Sequence, residues 1–250
     1  METPGGAEIK ESKVRLHKWL SIVGYCSLRK AEELIRQGKV LVDGQVAVIG
    51  QDIDESQAAI SVNGVLIPRT TPAKLYFMLY KPVGTLTSFK NDNGFPCLAD
   101  LAEIKKLKVK LNPVGRLDCY SEGLLLLTND GQLCHRLMHP RYKVSKMYRV
   151  ESHQAFPNQA MREIEMGLTL DDGPVSAQIR PVASAQAFQY DIALSVGRNR
   201  IVRRIFEHYG LQVRRLIRIA VGEISLDPKL APGQLRPLSP HELEYLFQIL

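Results

Sequence analysis

The chain has 250 residues, enough for one large domain or two smaller ones with a substantial core. Hydrophobic residues make up 45% of it and charged residues 24%, as in an ordinary soluble globular protein. The longest aliphatic run, at residues 124–127, is far too short to cross a bilayer, which argues against a membrane protein. The net charge of +7 is a modest basic excess, so the placement of the charges matters more than their total.

Residues 1–12 lack the apolar stretch of a secretory signal. They are predicted to be a short disordered tail. The four cysteines, Cys26, Cys97, Cys119 and Cys134, lie 71, 22 and 15 residues apart, and no pair has metal-ligand spacing. The six histidines are scattered as well. We therefore expect no metal site, and reduced thiols in a cytoplasmic protein.

Residues 13–62 form the first predicted domain. Short helices are predicted over 14–24 and 27–38, and the second is capped by Ser27 and stopped by Gly38. The alternating segment at 39–48 predicts a hairpin with Asp43-Gly44 at its turn. Two helices followed by hairpin strands indicate a small α+β unit.

Residues 63–72, with prolines at 68 and 72, are predicted to be a linker, and residues 73–250 a second, larger domain. Its strands are predicted over 74–82, 122–130, 146–152, 174–182, 188–196 and 213–226. Its helices are predicted over 131–140 and 199–210, with a last one from Ser239, where Pro240 and Glu242 complete a capping box. The strand at 122–130 is continuously apolar and should be buried on both faces. Strands with scattered helices predict an α+β fold.

Basic residues are concentrated in two places. Between residues 11 and 50 there are seven basic residues and four acidic ones. This pattern fits an RNA-contacting surface and equally an ordinary solvated helix face. From Arg198 to Arg218 there are seven arginines and a single acid, Glu207. The use of arginine alone favours bidentate phosphate or carboxylate contacts. On a helix, Arg203 would lie near the apolar side and would need a buried anion, for which Asp118 is a candidate.

Four ordered motifs resemble those of the RsuA/RluB/RluE/RluF family of ribosomal RNA pseudouridine synthases. The segment "GRLDCYSEGLLLLTNDG" at 115–131 resembles the family signature, and "YKPVGTLTS" at 80–88 resembles its Lys-Pro strand. "HPRYKVSKMYRV" at 139–150 and "GRNRIVRRIFEHYG" at 197–210 resemble its Lys-x-Tyr-x-Val and basic-helix motifs. Residues 14–62 are similar to the family's N-terminal αL-type RNA-binding module. Ile201 departs from the pattern, since a glutamine is common there.

The resemblance implies a mixed, mainly antiparallel synthase sheet and the isomerisation of uridine to pseudouridine, without a cofactor. It assigns the essential role to Asp118, as a nucleophile on the sugar or base or as a base at carbon 2′ of the ribose. Burial disfavours an ionised carboxylate, and Arg203 would counter this by pairing with it.

Two further residues receive roles from the same resemblance. The ring of Tyr148 would stack on the extruded uracil, and its hydroxyl would help to remove the carbon 5 proton. Arg116 would fill the gap that the extruded base leaves in the RNA. The residues expected to contact RNA are Arg116, Arg15, Lys18, Arg29, Lys30, Arg36, Lys39, Lys81, Lys146, Arg198, Arg200 and Arg204.

The expected substrate is large-subunit ribosomal RNA, free or within a ribosomal subunit or assembly intermediate. Small-subunit RNA is an alternative target. A non-catalytic RNA-binding assembly factor is an alternative of another class, against which the intact Asp118, Tyr148 and Arg203 set argues. The chain shows no apolar heptad or interface strip, so a monomer is expected.

Overall fold

The computed structural model describes residues 13–90, 94–107, 109–184 and 187–249, so the predicted tail at 1–12 lies outside the described residues. The chain divides into two units, Met1–Ala73 and Lys74–Leu250. No helix in the described part of the chain is long and apolar enough to cross a membrane.

From residue 13 on, where its description begins, the first unit contains two helices and two small sheets. Its elements are β1 (Lys13–Arg15), α1 (Leu16–Ile22), α2 (Leu28–Arg36), β2 (Val40–Val42), β3 (Gln45–Val46), β4 (Asp52–Asp54), β5 (Ile60–Val62) and β6 (Val65–Leu66). Strand β1 pairs with β4, and the other four form an antiparallel sheet in the order β3-β2-β5-β6. Trp19 of α1 is buried in the shared core. The predicted helices and hairpin are present, with the Ser27 hydroxyl accepting from the Lys30 N–H at 3.3 Å.

The boundary of this unit differs from the predicted linker at 63–72. Asn63 and Gly64 make a second tight turn, and β6 follows it in the sheet. Ile67 is buried in the core of the unit. The prolines at 68 and 72 come only after this last strand, so the unit extends further than the prediction placed it.

The second unit is built on one large sheet. Its elements are β7 (Tyr76–Lys81), α3 (Ala102–Lys105), β8 (Asn112–Pro113), β9 (Glu122–Thr128), α4 (Gly131–Met138), β10 (Lys146–Ser152), α5 (Asn158–Met166), β11 (Leu168–Leu170), β12 (Gly173–Val175), β13 (Gln178–Val182), β14 (Phe188–Leu194), α6 (Ile201–His208), β15 (Val213–Val221), β16 (Ile224–Ser225), β17 (Leu235–Pro237) and α7 (Pro240–Gln248). The main strand order is β13-β14-β10-β15-β9-β7-β17.

Two predicted strands are each broken in two. Residues 174–182 change partner midway, because β12 pairs with β11 while β13 joins β14 in the main sheet. Residues 213–226 form a hairpin, β15 and β16, that turns at Gly222 with φ of +57°. The predicted capping box at Ser239 is present, with Pro240 as the first residue of α7.

Strand β9 is buried on both faces, as its continuous apolar sequence predicted. Leu124 and Leu126 pack with α4 and α7, whereas Leu125 and Leu127 pack with the segment around Leu98. A third core lies between β10, β14, β15 and the helices α5 and α6. The sheet is antiparallel except that β15 runs parallel to β9, the only parallel pair of strands among the described residues. This junction carries the candidate site.

Candidate active site

Asp118 lies in a tight turn directly before β9. Its Oδ1 accepts a hydrogen bond from the Tyr120 N–H at 3.0 Å, and its Oδ2 accepts one from the Ser121 hydroxyl at 2.8 Å. The Ser121 N–H donates to the carbonyl oxygen of Asp118 at 3.2 Å, which closes the turn. The carboxylate is therefore held in one orientation at the mouth of a rigid strand, with 24% of the side chain exposed.

Arg203 reaches this turn from α6. Its Nε lies 3.6 Å from Asp118 Oδ2, and only 10% of its side chain is exposed. The same guanidinium donates from Nη2 to the Tyr120 carbonyl at 2.9 Å and from Nη1 to the Val213 carbonyl at 3.5 Å. The structure thus brings together the arginine and the acid that the sequence analysis paired. The arginine supplies positive charge to a partly buried carboxylate.

A cleft of about 810 Å³ opens beside this pair. Asp118 and Tyr148 both line it, and Tyr148 projects from the sheet floor on β10. The register pairs Tyr148 with Ile192 of β14 on one side and with Arg218 of β15 on the other. A β-bulge between Met147 and Tyr148 alters the pairing at this point. The cleft therefore has a carboxylate on its wall and an aromatic ring on its floor.

Other basic side chains surround the cleft. Arg116 is exposed and lines it, as does Arg200, whose backbone is left-handed with φ of +46° and whose side chain pairs with Glu207 at 3.1 Å. Lys146 is half-buried and donates to the Val144 carbonyl at 2.8 Å. Burial, and then the charge of Arg218, lower the pKa of Lys146. The cleft is thus positively charged, which suits a polyanionic substrate.

The prediction that Lys81 contacts RNA is wrong for this structure. Its side chain is fully buried, and its ammonium donates to the carbonyls of Pro82 at 2.9 Å and Ser121 at 2.8 Å. Burial lowers the pKa of Lys81 to about 8, although the charges of Cys119, Asp118 and Glu122 act in the opposite sense. Lys81 therefore ties the end of β7 to the turn that carries Asp118.

Arg198 and Arg204 also depart from the predicted RNA-contacting role. Arg204 pairs with Asp171 and Asp172, each at 2.5 Å, and Arg198 pairs with Asp172 at 2.7 Å. Arg198 also donates to the carbonyls of Asp172 and Gly173. These contacts fasten the turn between β11 and β12 to α6 and to the segment before it. These carboxylates neutralise most of both charges and leave less for phosphates, although Arg198 also lines the cleft.

The sequence analysis missed Arg218 and Gly123 as parts of the site. Arg218 is 3% exposed, lines the cleft, and donates from Nε to the Leu124 carbonyl at 2.8 Å. Gly123 lies opposite it with φ of +102°, and a Cβ there would lie 2.4 Å from the Arg218 carbonyl oxygen. The sequence did contain a signal for Arg218, because a lone arginine among apolar strand residues indicates a charge that points into the protein.

Glu122, the first residue of β9, forms part of an ionic network. It accepts from Arg215 Nε at 2.6 Å and from the Tyr80 hydroxyl at 3.0 Å. Burial alone would raise the pKa of Glu122, but these hydrogen bonds outweigh it and hold the pKa below its ordinary value. Arg214 and Arg215 both pair with Glu151 as well. The network links four neighbouring strands beside the site, β10, β15, β9 and β7.

In the first unit, the basic residues predicted to contact RNA are all exposed. Two of them are paired: Arg15 with Asp52 at 3.2 Å, and Lys30 with Glu33 at 3.0 Å. The other four, which make no ion pair within the described residues, are Lys18, Arg29, Arg36 and Lys39. Arg29 and Arg36 are seven residues apart on α2 and so share a face.

Within the described residues, no three His, Cys, Asp or Glu side chains come together as a metal site. The four cysteines are free thiols, and Cys134 is buried, which raises the pKa of its thiol to about 11. Cys119 is half-buried beside Asp118.

Comparison with known proteins finds two matching families. The RNA pseudouridylate synthase family matches residues 75–208, and the S4 domain family matches residues 14–54. An RNA pseudouridine synthase of Mycobacterium leprae is 41% identical, with 94% of this chain and 93% of that protein aligned. Ribosomal large subunit pseudouridine synthase B of Bacillus subtilis (strain 168) is 38% identical, with 93% and 95% aligned.

A solved structure is similar along almost the whole chain. The crystal structure of a pseudouridylate synthase, 28% identical, superposes with a TM-score of 0.65 and covers 93% of this chain and 99% of its own. The α+β fold and the S4 domain thus agree with the resemblance found in the sequence. This chain belongs to the RNA pseudouridylate synthase family, whose members isomerise uridine to pseudouridine, and carries an N-terminal S4 domain.

Proposed function

We propose that this enzyme isomerises specific uridines of large-subunit ribosomal RNA, and that Asp118, Tyr148 and Arg203 carry the reaction. The Bacillus subtilis relative, named for the large subunit, aligns over nearly all of both chains. A protein of the same name from Escherichia coli O157:H7 is 34% identical over 94% of this chain. The observation that carries the catalytic part is the Asp118–Arg203 pair at 3.6 Å beside the cleft.

The reaction moves the uracil from one atom to another without loss of mass. The bond from ribose carbon 1′ to uracil N1 breaks, the base turns, and carbon 5 bonds to carbon 1′. Carbon 5 loses a proton and N1 gains one. Asp118 serves as the nucleophile on sugar or base, or as the base at ribose carbon 2′. Each route needs an ionised carboxylate in a fixed place, which Arg203 and the two turn hydrogen bonds supply.

Tyr148 and Arg116 handle the extruded base and the gap that it leaves. Tyr148 lies on the cleft floor, where its ring can stack on uracil and its hydroxyl can help to remove the carbon 5 proton. Arg116 is exposed at the cleft, two residues before Asp118, where it can enter the vacated space in the RNA. Extrusion costs a few kcal/mol, which stacking and phosphate contacts offset.

The S4 domain supplies a second RNA contact in this proposal. Exposed cations without ion-pair partners among the described residues, Lys18, Arg29, Arg36 and Lys39, give it a surface for phosphates. Lys30 and Arg15 contribute less, because each already has an acidic partner. We further propose a monomer that acts in the cytoplasm on ribosomal RNA, free or in a subunit or assembly intermediate.

The test is tritium release from RNA labelled at carbon 5 of its uridines. Large-subunit and small-subunit RNA, each naked and in assembled particles, are incubated with wild-type protein, with Asp118→Asn and with Asp191→Asn. Asp191 is a matched control because it pairs with Arg149 at 2.8 Å, away from Asp118. We expect release from large-subunit RNA by the wild type and the control, and none by Asp118→Asn.

Three results would contradict parts of the proposal. Release from small-subunit RNA alone would move the target to that subunit. Tritium release by Asp118→Asn would show that the Asp118 carboxylate is not required for the reaction. RNA binding with no release from any substrate by the wild type would indicate a non-catalytic assembly factor.

A further inference from the structure

Arg218 is a buried cation whose hydrogen-bonding capacity is only partly used. It lies in β15, between β10 and β9, and is 3% exposed. Its Nε donates to the Leu124 carbonyl at 2.8 Å, but its Nη2 is buried and has no hydrogen-bond partner among the described residues. An unsatisfied buried donor costs free energy, about 1–3 kcal/mol and more when charged. Such a group therefore calls for an explanation.

The charges around Arg218 do not neutralise it. Three other arginines of the region, Arg203, Arg214 and Arg215, each form an ion pair with a carboxylate. Arg218 forms none within the described residues, and its charge acts on two further cations, Lys146 and Lys81. A buried positive charge among other positive charges is stabilised when an electron-rich group enters.

The position of Arg218 indicates what that group is. Tyr148 and Arg218 are direct partners on neighbouring antiparallel strands, so their side chains share one face of the sheet. Both line the cleft that contains Asp118. A uracil stacked on Tyr148 would bring its carbonyl oxygens beside the Arg218 guanidinium. A backbone phosphate fits less well, because Arg218 is almost fully covered while Arg116 and Arg200 are exposed.

We propose that Arg218 donates a hydrogen bond from Nη2 to a carbonyl oxygen of the extruded uracil and stabilises the charge that the base gains when it leaves the sugar. The inference rests on the cleft being the uridine site. As the N1–C1′ bond breaks, its electron pair stays on the base and spreads over N1 and the carbonyl oxygens. A fixed donor aimed at such an oxygen lowers the barrier, because it is in place before the charge develops.

Two local features fix the guanidinium. The Leu124 carbonyl holds Nε, and Gly123 allows β9 to approach β15 closely enough for that contact. The planar guanidinium also holds its N–H donors in a fixed geometry. In this arrangement Arg203 pairs with the Asp118 carboxylate and Arg218 binds the uracil.

The first experiment uses wild-type protein and a target RNA synthesised with 2-thiouridine or 4-thiouridine at the reacting position. Sulfur accepts hydrogen bonds more weakly than oxygen, so each substrate weakens one carbonyl contact. We expect one of the two to react more slowly in single-turnover measurements. Equal rates for both thio substrates and unmodified RNA would overturn the proposal even if no variant folds. Failure of the wild type on unmodified RNA would instead contradict the proposed function.

The second experiment compares Arg218→Met and Arg218→Lys with Arg149→Met and Arg149→Lys. Arg149 lies on β10 next to Tyr148, where successive side chains point to opposite faces, and pairs with Asp191. We expect Arg218→Met to lose about 10²–10³-fold in single-turnover rate, as for a lost oxyanion donor. Its affinity for RNA should be unchanged, and the sulfur that slowed the wild type should slow it no further. Both Arg149 variants should keep the wild-type rate and sulfur effect.

The opposite pattern would identify a phosphate contact. In that case the Arg218 variants would bind RNA more weakly, and for Arg218→Met, which removes the charge, the slope of log affinity against log salt would fall by about one. Their single-turnover rate at saturating RNA would equal that of the wild type. The proposal would also be overturned if the thio substitution slowed Arg218→Met by the same factor as it slows the wild type, because independent effects of this kind show no contact between Arg218 and the base.

Discussion

Arg203 holds both the Asp118 carboxylate and the backbone of the turn that carries it. Its Nε lies 3.6 Å from Asp118 Oδ2, and its Nη2 donates to the carbonyl of Tyr120 at 2.9 Å. A lysine has no planar fork and cannot make both contacts in this geometry. The arginine therefore positions the acid as well as balancing its charge.

This double contact predicts that neither charge nor size alone replaces Arg203. Arg203→Lys and Arg203→Met should each lose about 10²-fold or more in single-turnover rate, since a displacement of about 1 Å at the reacting centre has that effect. The measurement is pseudouridine formation at saturating RNA. Arg204→Met is the neighbouring control, because Arg204 contacts Asp171 and Asp172 instead. A wild-type rate for Arg203→Lys would show that charge alone suffices.

Gly123 should tolerate no side chain. With φ of +102° and a Cβ placed 2.4 Å from the Arg218 carbonyl oxygen, Gly123→Ala combines backbone strain with a clash against backbone. We expect a loss of at least about 3 kcal/mol in the free energy of unfolding, measured by urea titration. Gly131→Ala is the matched control, since a Cβ at that position would meet nothing within 4 Å, and should stay within about 0.5 kcal/mol of the wild type. A loss below about 1 kcal/mol in Gly123→Ala would contradict the close approach of β9 and β15.

Lys81 should make stability depend on pH in the alkaline range. Its pKa is about 8 in the folded protein against an ordinary value of 10.5, so between these values the unfolded chain binds more protons. Stability from this group therefore rises with pH across that window, and the full cost of the buried ammonium is present below pH 8. The difference in unfolding free energy between wild type and Lys81→Met should shift in favour of the wild type by about 3 kcal/mol from pH 8 to 10.5. A difference that is flat over this range would contradict the lowered pKa.

Arg116 and Arg204 should differ in their effect on RNA binding. Arg116 is exposed at the cleft, whereas Arg204 has two acidic partners. Arg116→Ala should weaken binding and reduce the slope of log affinity against log salt, by about one if it neutralises one phosphate. Arg204→Ala should leave this slope unchanged and lower the melting temperature, because it releases the turn between β11 and β12. The reverse result would restore Arg204 to the RNA-contacting set.

Most elements with strong local signals could be predicted from the sequence. The apolar run of β9, the Ser27 cap and the Ser239 capping box depend on near neighbours, and each is present. The change of partner between β12 and β13 depends on distant strands and left no local mark. Helix α5 was missed although Pro157 and Gly167 flank it. Its core contribution is limited to Ala160 and Ile164, too few for a clear periodic pattern.

The grouping of the three candidate catalytic residues was predictable as far as the motifs extended. The motif resemblance pointed to Asp118, Tyr148 and Arg203, and the structure places all three at one cleft or in contact with its wall. The predicted RNA contacts of Lys81, Arg198 and Arg204 rested on charge alone. In the sequence, a cation that has a partner within the protein cannot be distinguished from one that faces RNA. The Ser121 carbonyl that binds Lys81 and the carboxylates that bind Arg198 and Arg204 lie tens of residues away in the sequence.

The central position of β15 has a consequence for the timing of synthesis. This strand joins β10 to β9, yet 94 residues separate Arg218 from Leu124, the residue that its Nε contacts. Until β15 leaves the ribosome, the two halves of the sheet have no strand between them, and α6 lacks the strand that helps to fix Arg203 beside Asp118. Contacts of such long range form late and slowly. A nascent chain that already displays its completed N-terminal unit would therefore be able to meet RNA well before it could alter it.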